Sequence, residues 1–253
     1  MLIGRVARAV AIVGVMSVGV AEASAQEKVT AGRGFLFGAP AGSFSIRGGY
    51  SGASAGSDVF AFVTNELTLR RGDFGSFSIG GDVAIAISDR FDVVFSADAG
   101  AMSRKSEFRE WEDNSGNPIE QQTGFSRQTF ALSGKYYLRP SGRTLGRFAW
   151  VPASYAPWLS AGLGRTLYNF NQTGDFVDFE RDNAVFGDSF KSSKWATTAQ
   201  LGAGVDWNLT QRFAFTTQAK YLFGKADLTY DYAGFDPIDL SGFGFSAGLT
   251  VRF

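Results

Sequence analysis

Carboxylates offer the most chemistry in this chain, and they stand in two settings. The first is a set of polar stretches: Glu107, Glu110, Glu112, Asp113 and Glu120; then "DFVDFE", Asp175 to Glu180, with Asp182 and Asp188; then Asp227 and "DYAGFDPID", Asp231 to Asp239. Hard cations such as Ca²⁺ take oxygen ligands of this kind, and a divalent ion held there would bridge to lipopolysaccharide phosphates. Neither "DFVDFE" nor "DYAGFDPID" has the glycine-turned spacing of an EF-hand, so the reading adopted is a solvated acidic rim, with no metal and no cofactor. In the second setting, charged and amide residues recur at every second position among small residues: Arg47, Asp82, Asp92, Asp98, Lys135, Gln200, Asp206, Gln218, Lys220 and Arg252. A period of two puts them on one face of strands, where burial is tolerated only as a mutually paired network with water.

Catalysis has little to work with. The chain has no histidine and no cysteine, which removes the usual general base, the commonest metal ligand, disulfides and thiolate sites. The expectation is a protein that is not an enzyme. Gly162-Leu163-Gly164 and Gly202-Ala203-Gly204 do not form a phosphate loop opening a helix, and read more simply as close packing in strands. A formal net charge of zero gives no global field for nucleic acid.

The elements that position these residues are strands. Phe44, Ile46, Gly48 and Tyr50 alternate with Ser45, Arg47 and Gly49, and seven further runs follow over 77–87, 91–99, 130–138, 159–167, 195–209, 213–221 and 243–253. Each is near the roughly 9–11 residues that cross a bilayer as a tilted strand. One face is apolar with aromatic ends; the other is Gly, Ser, Thr and Ala bearing the charges above. "SDR" at Ser88 and "TQR" at Thr210 are short connections, whereas Gly52–Gly75, Ser103–Gly124, Asn171–Lys194 and Gly224–Asp239 are long and polar. Short turns on one side and long loops on the other mark an outer-membrane barrel. Arg139–Pro157 falls on the short-turn side but is too long and aromatic for a turn, so it reads as a plug, an interfacial segment or a miscounted strand. The acidic loops stand opposite a rim carrying Arg90, Arg139, Arg143, Arg147, Arg212 and Arg252.

Ahead of the strands, Arg5 and Arg8, the apolar stretch Ala9–Ala21 and the small residues Ala23-Ser24-Ala25 read as a signal peptide over 1–25, cleaved after Ala25. The apolar run is shorter than the roughly 18 residues of a spanning helix. The segment 26–42 is a lead-in, and 43–253 the barrel domain. A bilayer leaves no unpaired backbone groups, so membrane strands must close on themselves, the last pairing with the first. An eight-stranded up-and-down meander has a lumen that side chains can fill. Exposed loop aromatics, Phe60, Phe62, Trp111, Phe176, Phe179 and Phe186, read as extending the barrel above the membrane or lying on its girdle, with a sticky patch for a partner as the alternative. A soluble β-sandwich or lipocalin-like barrel, with its apolar face inward, is the competing architecture that periodicity alone leaves open.

The strand pattern, the "SDRF" and "TQRF" junctions and the final "VRF" resemble the small eight-stranded outer-membrane β-barrel superfamily, the group of the membrane domains of outer membrane proteins A, W and X and the Opa-like adhesins. The resemblance covers Ser43 to Phe253. It implies export to the bacterial outer membrane, a monomer contacting outer-membrane lipid and lipopolysaccharide, and insertion by the barrel-assembly machinery through a C-terminal signal of Phe245, Leu249, Val251 and Phe253. The enzymes of such barrels use a histidine, so none of their catalytic residues carries over. The expected role is a structural or surface-interaction protein with acidic, aromatic outer loops; the alternative is a narrow channel for small hydrophobic or ionic solutes, as in outer membrane protein W.

Overall fold

A computed structural model describes residues 35–112, 115–146, 148–178 and 184–253. The signal-peptide reading with Ala23 and Ala25, residues 26–34 of the lead-in, and Asp113, Arg147, Phe179, Glu180 and Asp182 lie outside the described residues. In chain order the elements are β1 (Leu36–Phe37), β2 (Gly42–Ser51), α1 (Asp58–Glu66), β3 (Ser76–Ser88), β4 (Phe91–Glu112), β5 (Pro118–Tyr137), β6 (Gly142–Leu145), β7 (Ala149–Pro152), β8 (Tyr155–Asp178), β9 (Ala184–Asn208), β10 (Phe213–Ala226), β11 (Ile238–Asp239) and β12 (Gly242–Arg252).

Eight of these strands close a ring. Every neighbouring pair is antiparallel in the order β2-β3-β4-β5-β8-β9-β10-β12, and β12 returns to β2 through partners running from Gly244 and Ser51 to Arg252 and Ser43. The seam is tied at its lower end, where the Phe253 carbonyl accepts from the Ala41 and Gly42 amides at 2.8 and 3.2 Å, and the Phe253 amide donates to the Gly42 carbonyl at 3.0 Å. Such closure leaves no edge to satisfy in hydrocarbon. The two short connections are built by their own hydroxyls: Thr210 Oγ1 accepts from the Phe213 amide at 3.0 Å, and Ser88 Oγ from the Arg90 amide at 3.4 Å.

The outer face of the ring carries Phe44, Ile46, Phe77, Ile85, Leu132, Leu163, Leu201, Phe245, Leu249 and Phe253, all exposed. Aromatic rings sit at both ends of this belt, with Phe130 and Trp195 paired at 6.1 Å above and Tyr155 and Trp207 at 5.9 Å below. An apolar outside around a polar inside is the membrane arrangement; the soluble alternative requires the reverse.

Two expectations about connections are corrected. The stretches Ser103–Gly124 and Asn171–Lys194 are mostly not loops: β4 and β5 run for 22 and 20 residues, β8 and β9 for 24 and 25, so four strands continue well past the membrane. At the boundary the alternation changes sign. Inward positions become apolar, as at Met102, Phe108, Ile119, Phe125 and Phe170, while outward ones become polar, as at Lys105, Glu107, Gln122 and Asn171. The physical reason is that the solvent outside is now water and the partner inside is protein.

That partner comes from Gly52–Gly75, expected as a loop, which carries α1 instead. Val59, Phe60 and Val63 of α1 are buried against Phe74, Phe125, Phe170, Tyr232, Ile238 and Leu240, forming a hydrophobic core over the outer mouth of the barrel. Phe60 is therefore not a girdle or patch residue. Its ring centroid lies 4.7 Å from Phe74, 5.5 Å from Phe125 and 5.7 Å from Phe170. Phe62 is exposed and meets Phe235 at 5.6 Å, and Phe176 meets Phe190 at 4.6 Å. At the opposite end, Arg139–Pro157 forms the hairpin β6–β7, to which β1 adds a third strand through Leu36 and Trp150.

Candidate functional site

The lumen is the place where this sequence concentrates polar chemistry, and the strands position it by alternation alone. Its middle layer is an ion-pair brace. Arg47 on β2 donates to Asp82 on β3 and, at 2.5 Å, to Asp98 on β4; Lys220 on β10 reaches across to the other oxygen of Asp98 at 2.7 Å. Four strands are thereby tied through side chains in addition to their backbone ladder. The Arg47 side chain is 3% exposed, so its charge is tolerable only because two carboxylates face it.

The next layer down centres on Asp206 of β9. Its carboxylate accepts from Lys135 at 2.9 Å and from the Tyr137 hydroxyl, the Trp158 indole N–H and the Thr216 hydroxyl, each at 3.0 Å. A buried carboxylate saturated in this way has no lone pair left for substrate chemistry; it is a structural hub. Lys135 also lies 4.4 Å from the Trp158 ring. Trp158 fits because Gly204 stands opposite it, where a Cβ would collide with the indole. Around the hub, hydroxyls and amides complete the filling: Gln200 donates to Ser133 at 2.7 Å, Gln218 to Ser246 at 3.1 Å, and Thr216 shares a bond with Thr250 at 2.8 Å.

Arg252 and Asp92 occupy the short-turn end. Arg252 Nη2 donates to Asn208 at 2.5 Å and its guanidinium carbon lies 5.7 Å from the Trp150 ring of β7. Asp92 is buried and lines the same cavity as Tyr137. All ten inward residues expected from the sequence thus lie on the lumen side, but in three groups rather than one continuous network. The residues that sequence reasoning missed are the neutral anchors, Tyr137, Trp158, Thr216 and Asn208, whose signal was only their even spacing with the charges.

Above the brace, Arg127 separates polar lumen from apolar cap. Its guanidinium donates to the carbonyls of Leu240 at 2.6 Å and Gly52 at 3.1 Å and to Ser51 Oγ at 2.9 Å. These groups belong to the segments leading into and out of the cap, so one buried cation fastens the cap to the barrel. Asp239, expected in the solvated rim, is buried instead. It accepts from the amides of Gly56 and Ser241 at 3.2 and 2.9 Å. The Asp58 carboxylate at the start of α1 accepts from the Asp236 amide at 2.8 Å. These carboxylates serve as backbone acceptors, and no group of acids with metal-ligand geometry occurs among the described residues. Burial and the adjacent Asp231 carboxylate push the Tyr232 hydroxyl pKa well up.

The space left between these layers is small. A cavity of about 80 Å³ lies between Arg127 and the Asp98–Lys220 pair, one of about 40 Å³ lies beside Lys135 and Gln200, and a larger one of about 190 Å³ opens at the short-turn end below Arg252.

No protein-family model and no curated protein sequence matches the chain. Among solved structures it is similar to the outer membrane protein OprG from Pseudomonas aeruginosa, at 16% identity over 86% of this chain and 99% of that one, with a TM-score of 0.48. It is also similar to Neisserial surface protein A, at 14% identity over 83% and 97% with a TM-score of 0.43. The attachment invasion locus protein Ail of Yersinia pestis, solved with the heparin analogue sucrose octasulfate, aligns at 12% identity over 84% and 99% with a TM-score of 0.40. The outer membrane protease OmpT from Escherichia coli aligns at 11% identity over 84% and 94% with a TM-score of 0.31. The barrel stands on its own strand pairings: the chain folds as a closed eight-stranded antiparallel β-barrel, with the apolar belt outside and braced polar lumen within of a transmembrane barrel.

Proposed function

We propose that the protein is a non-enzymatic surface-interaction anchor: a filled barrel that fixes a rigid extracellular body to the outer membrane. The observation that carries this reading is the apolar core built by α1 over the outer mouth, fastened by Arg127. A protein selected for conduction would keep that mouth wet. Below it, the Arg47–Asp82 and Asp98–Lys220 pairs cross the lumen where a channel would need space.

What projects outward supports a binding role. About 14 residues of β9 beyond an 11-residue crossing amount to roughly 45 Å of strand. The projecting sheet exposes Glu107, Glu110, Glu112, Glu120, Asp175 and Asp188 together with Arg104, Lys105, Arg109, Lys191 and Lys194, a charged surface of mixed sign. Lipopolysaccharide and outer-membrane lipid contact the belt in this account, the barrel-assembly machinery inserts the chain through the Phe245, Leu249, Val251 and Phe253 stripe, and the working unit is a monomer. The absence of histidine and cysteine and the saturation of Asp206 support a non-catalytic lumen. The test is single-channel recording of the refolded protein in a planar bilayer. The expected result is no discrete conductance; well-resolved steps would replace this reading with the channel.

A further inference from the structure

The cavity at the short-turn end is unlike the two above it. It is the largest at about 190 Å³, it faces away from the cap, and its wall combines Asp92, Tyr137, Arg252, Ser43 and Ser88 with the indole of Trp150. By the rule that short turns lie inside the cell envelope, this mouth opens to the periplasm.

Two opposite charges line it without pairing. Arg252 is 5% exposed, and its Nη1 has no hydrogen-bond partner. Asp92 is 8% exposed, and no ion pair joins it to Arg252 or to another cation among the described residues. In the brace and the hub above, by contrast, Arg47 has found Asp82 and Asp98, and Asp206 has found Lys135. Keeping a buried guanidinium and a buried carboxylate on one cavity wall, apart, is costly unless something bridges them. A simple anion would meet Arg252 but be repelled by Asp92 and by Asp89, which also lines the space; a simple cation would meet the reverse. A molecule carrying both charges satisfies both walls.

We propose that this cavity binds a small zwitterion, an α-amino acid or a short peptide with both ends free, its carboxylate toward Arg252 and its ammonium toward Asp92. The hairpin β6–β7 supplies the apolar wall through Trp150, and the Asn208 amide holds that hairpin under the barrel by donating to the Ala153 and Ser141 carbonyls, the latter at 3.4 Å. The segment Arg139–Pro157, too long for a turn, thereby walls one side of the site. The inference is independent of the outer-surface reading, since it concerns the opposite end of the molecule.

The test is calorimetric titration of the full detergent-solubilised chain with alanine, dialanine, acetate and ethylamine, with the change in tryptophan fluorescence that Trp150→Phe removes as a second readout. The expected result is saturable binding of alanine or dialanine with a Kd of about 1 mM or tighter, and none of acetate or ethylamine. Alanine binding identifies a free amino acid as the ligand; binding of dialanine alone identifies a short peptide. Asp92→Asn and Arg252→Gln should each weaken binding at least about tenfold, a loss of about 1.4 kcal/mol. Ser43→Leu, which fills the cavity and leaves both charges in place, should abolish it in a chain that still shows heat-dependent gel mobility. No zwitterion binding, equal binding of acetate, or binding untouched by Ser43→Leu would each overturn the proposal.

Discussion

Replacing Phe60 by alanine should open the outer mouth without unfolding the barrel. Phe60 is fully buried and touches three other rings, Phe74 ahead of β3, Phe125 on β5 and Phe170 on β8, all above the membrane part of the barrel. Truncating a buried phenylalanine costs about 3–5 kcal/mol, and the site cannot collapse easily because Phe125 and Phe170 are held by rigid strands. At about 1.4 kcal/mol per tenfold, the population with the cap undocked should rise by roughly two to three and a half orders of magnitude. Amide hydrogen exchange followed by mass spectrometry reads this directly: the peptide over Asp58–Glu66 should exchange faster by that factor, while peptides over β2 and β12 keep their protection. Equal exchange of the helix in both chains would show that α1 does not depend on this core. Loss of protection throughout would show that cap and barrel are one cooperative unit.

Within the brace, Arg47→Ala should cost about 3–5 kcal/mol because it strands Asp82 and strips one partner from Asp98. Lys220→Ala should cost less, about 1.5–3 kcal/mol, since Asp98 keeps Arg47 and the Lys220 side chain is 20% exposed; urea midpoints give both values, and a reversed order would contradict the assigned brace. Deleting Phe253 removes three backbone hydrogen bonds from the closing seam and should lower the yield of heat-modifiable barrel, whereas a normal yield would separate assembly from that seam. Tyr232 has its folded-state pKa raised above the ordinary value of 10.0, by burial first and by Asp231 second. Its contribution is fully present below pH 10 and falls as pH rises further, because only the unfolded cap ionises freely there. The protection of α1, taken relative to the base-catalysed intrinsic exchange rate, should therefore fall above pH 10, and Tyr232→Phe should remove that fall.

The membrane half of this fold was legible because lipid and lumen impose opposite demands on adjacent residues. Phe77, Ile79 and Val83 against Ser78, Gly80 and Asp82 declare both faces at once. The upper half was not, because water replaces lipid outside while apolar residues move inside, so Phe108, Phe125 and Phe170 read as interruptions of a pattern that in fact continues inverted. Helix α1 was hidden for a related reason. Its nine residues are too few for a marked period, and its core partners are spread over β4, β5, β8 and the segment ahead of β12. In the lumen, alternation placed all ten polar residues on the inward face but carried no information about height, so it did not separate the brace at Arg47 from the hub at Asp206 or from Arg252. Pairing depends on strand stagger, which is set by the ladder as a whole.

The central claim is a closed, capped lumen, and thiol labelling tests it most directly because the chain contributes no cysteine of its own. Ser96→Cys places a thiol on the inward face of β4, Phe95→Cys places one on the lipid face beside it, and Ser189→Cys marks the exposed outer sheet. In protein reconstituted in vesicles with the outer face exposed, a membrane-impermeant maleimide should label Ser189→Cys rapidly and neither of the others. Because the cap and the brace both lie above Ser96, combining Phe60→Ala with Arg47→Ala should make Ser96→Cys reactive and leave Phe95→Cys silent. Rapid labelling of Ser96→Cys with the cap intact would show an open path through the outer mouth and contradict the account.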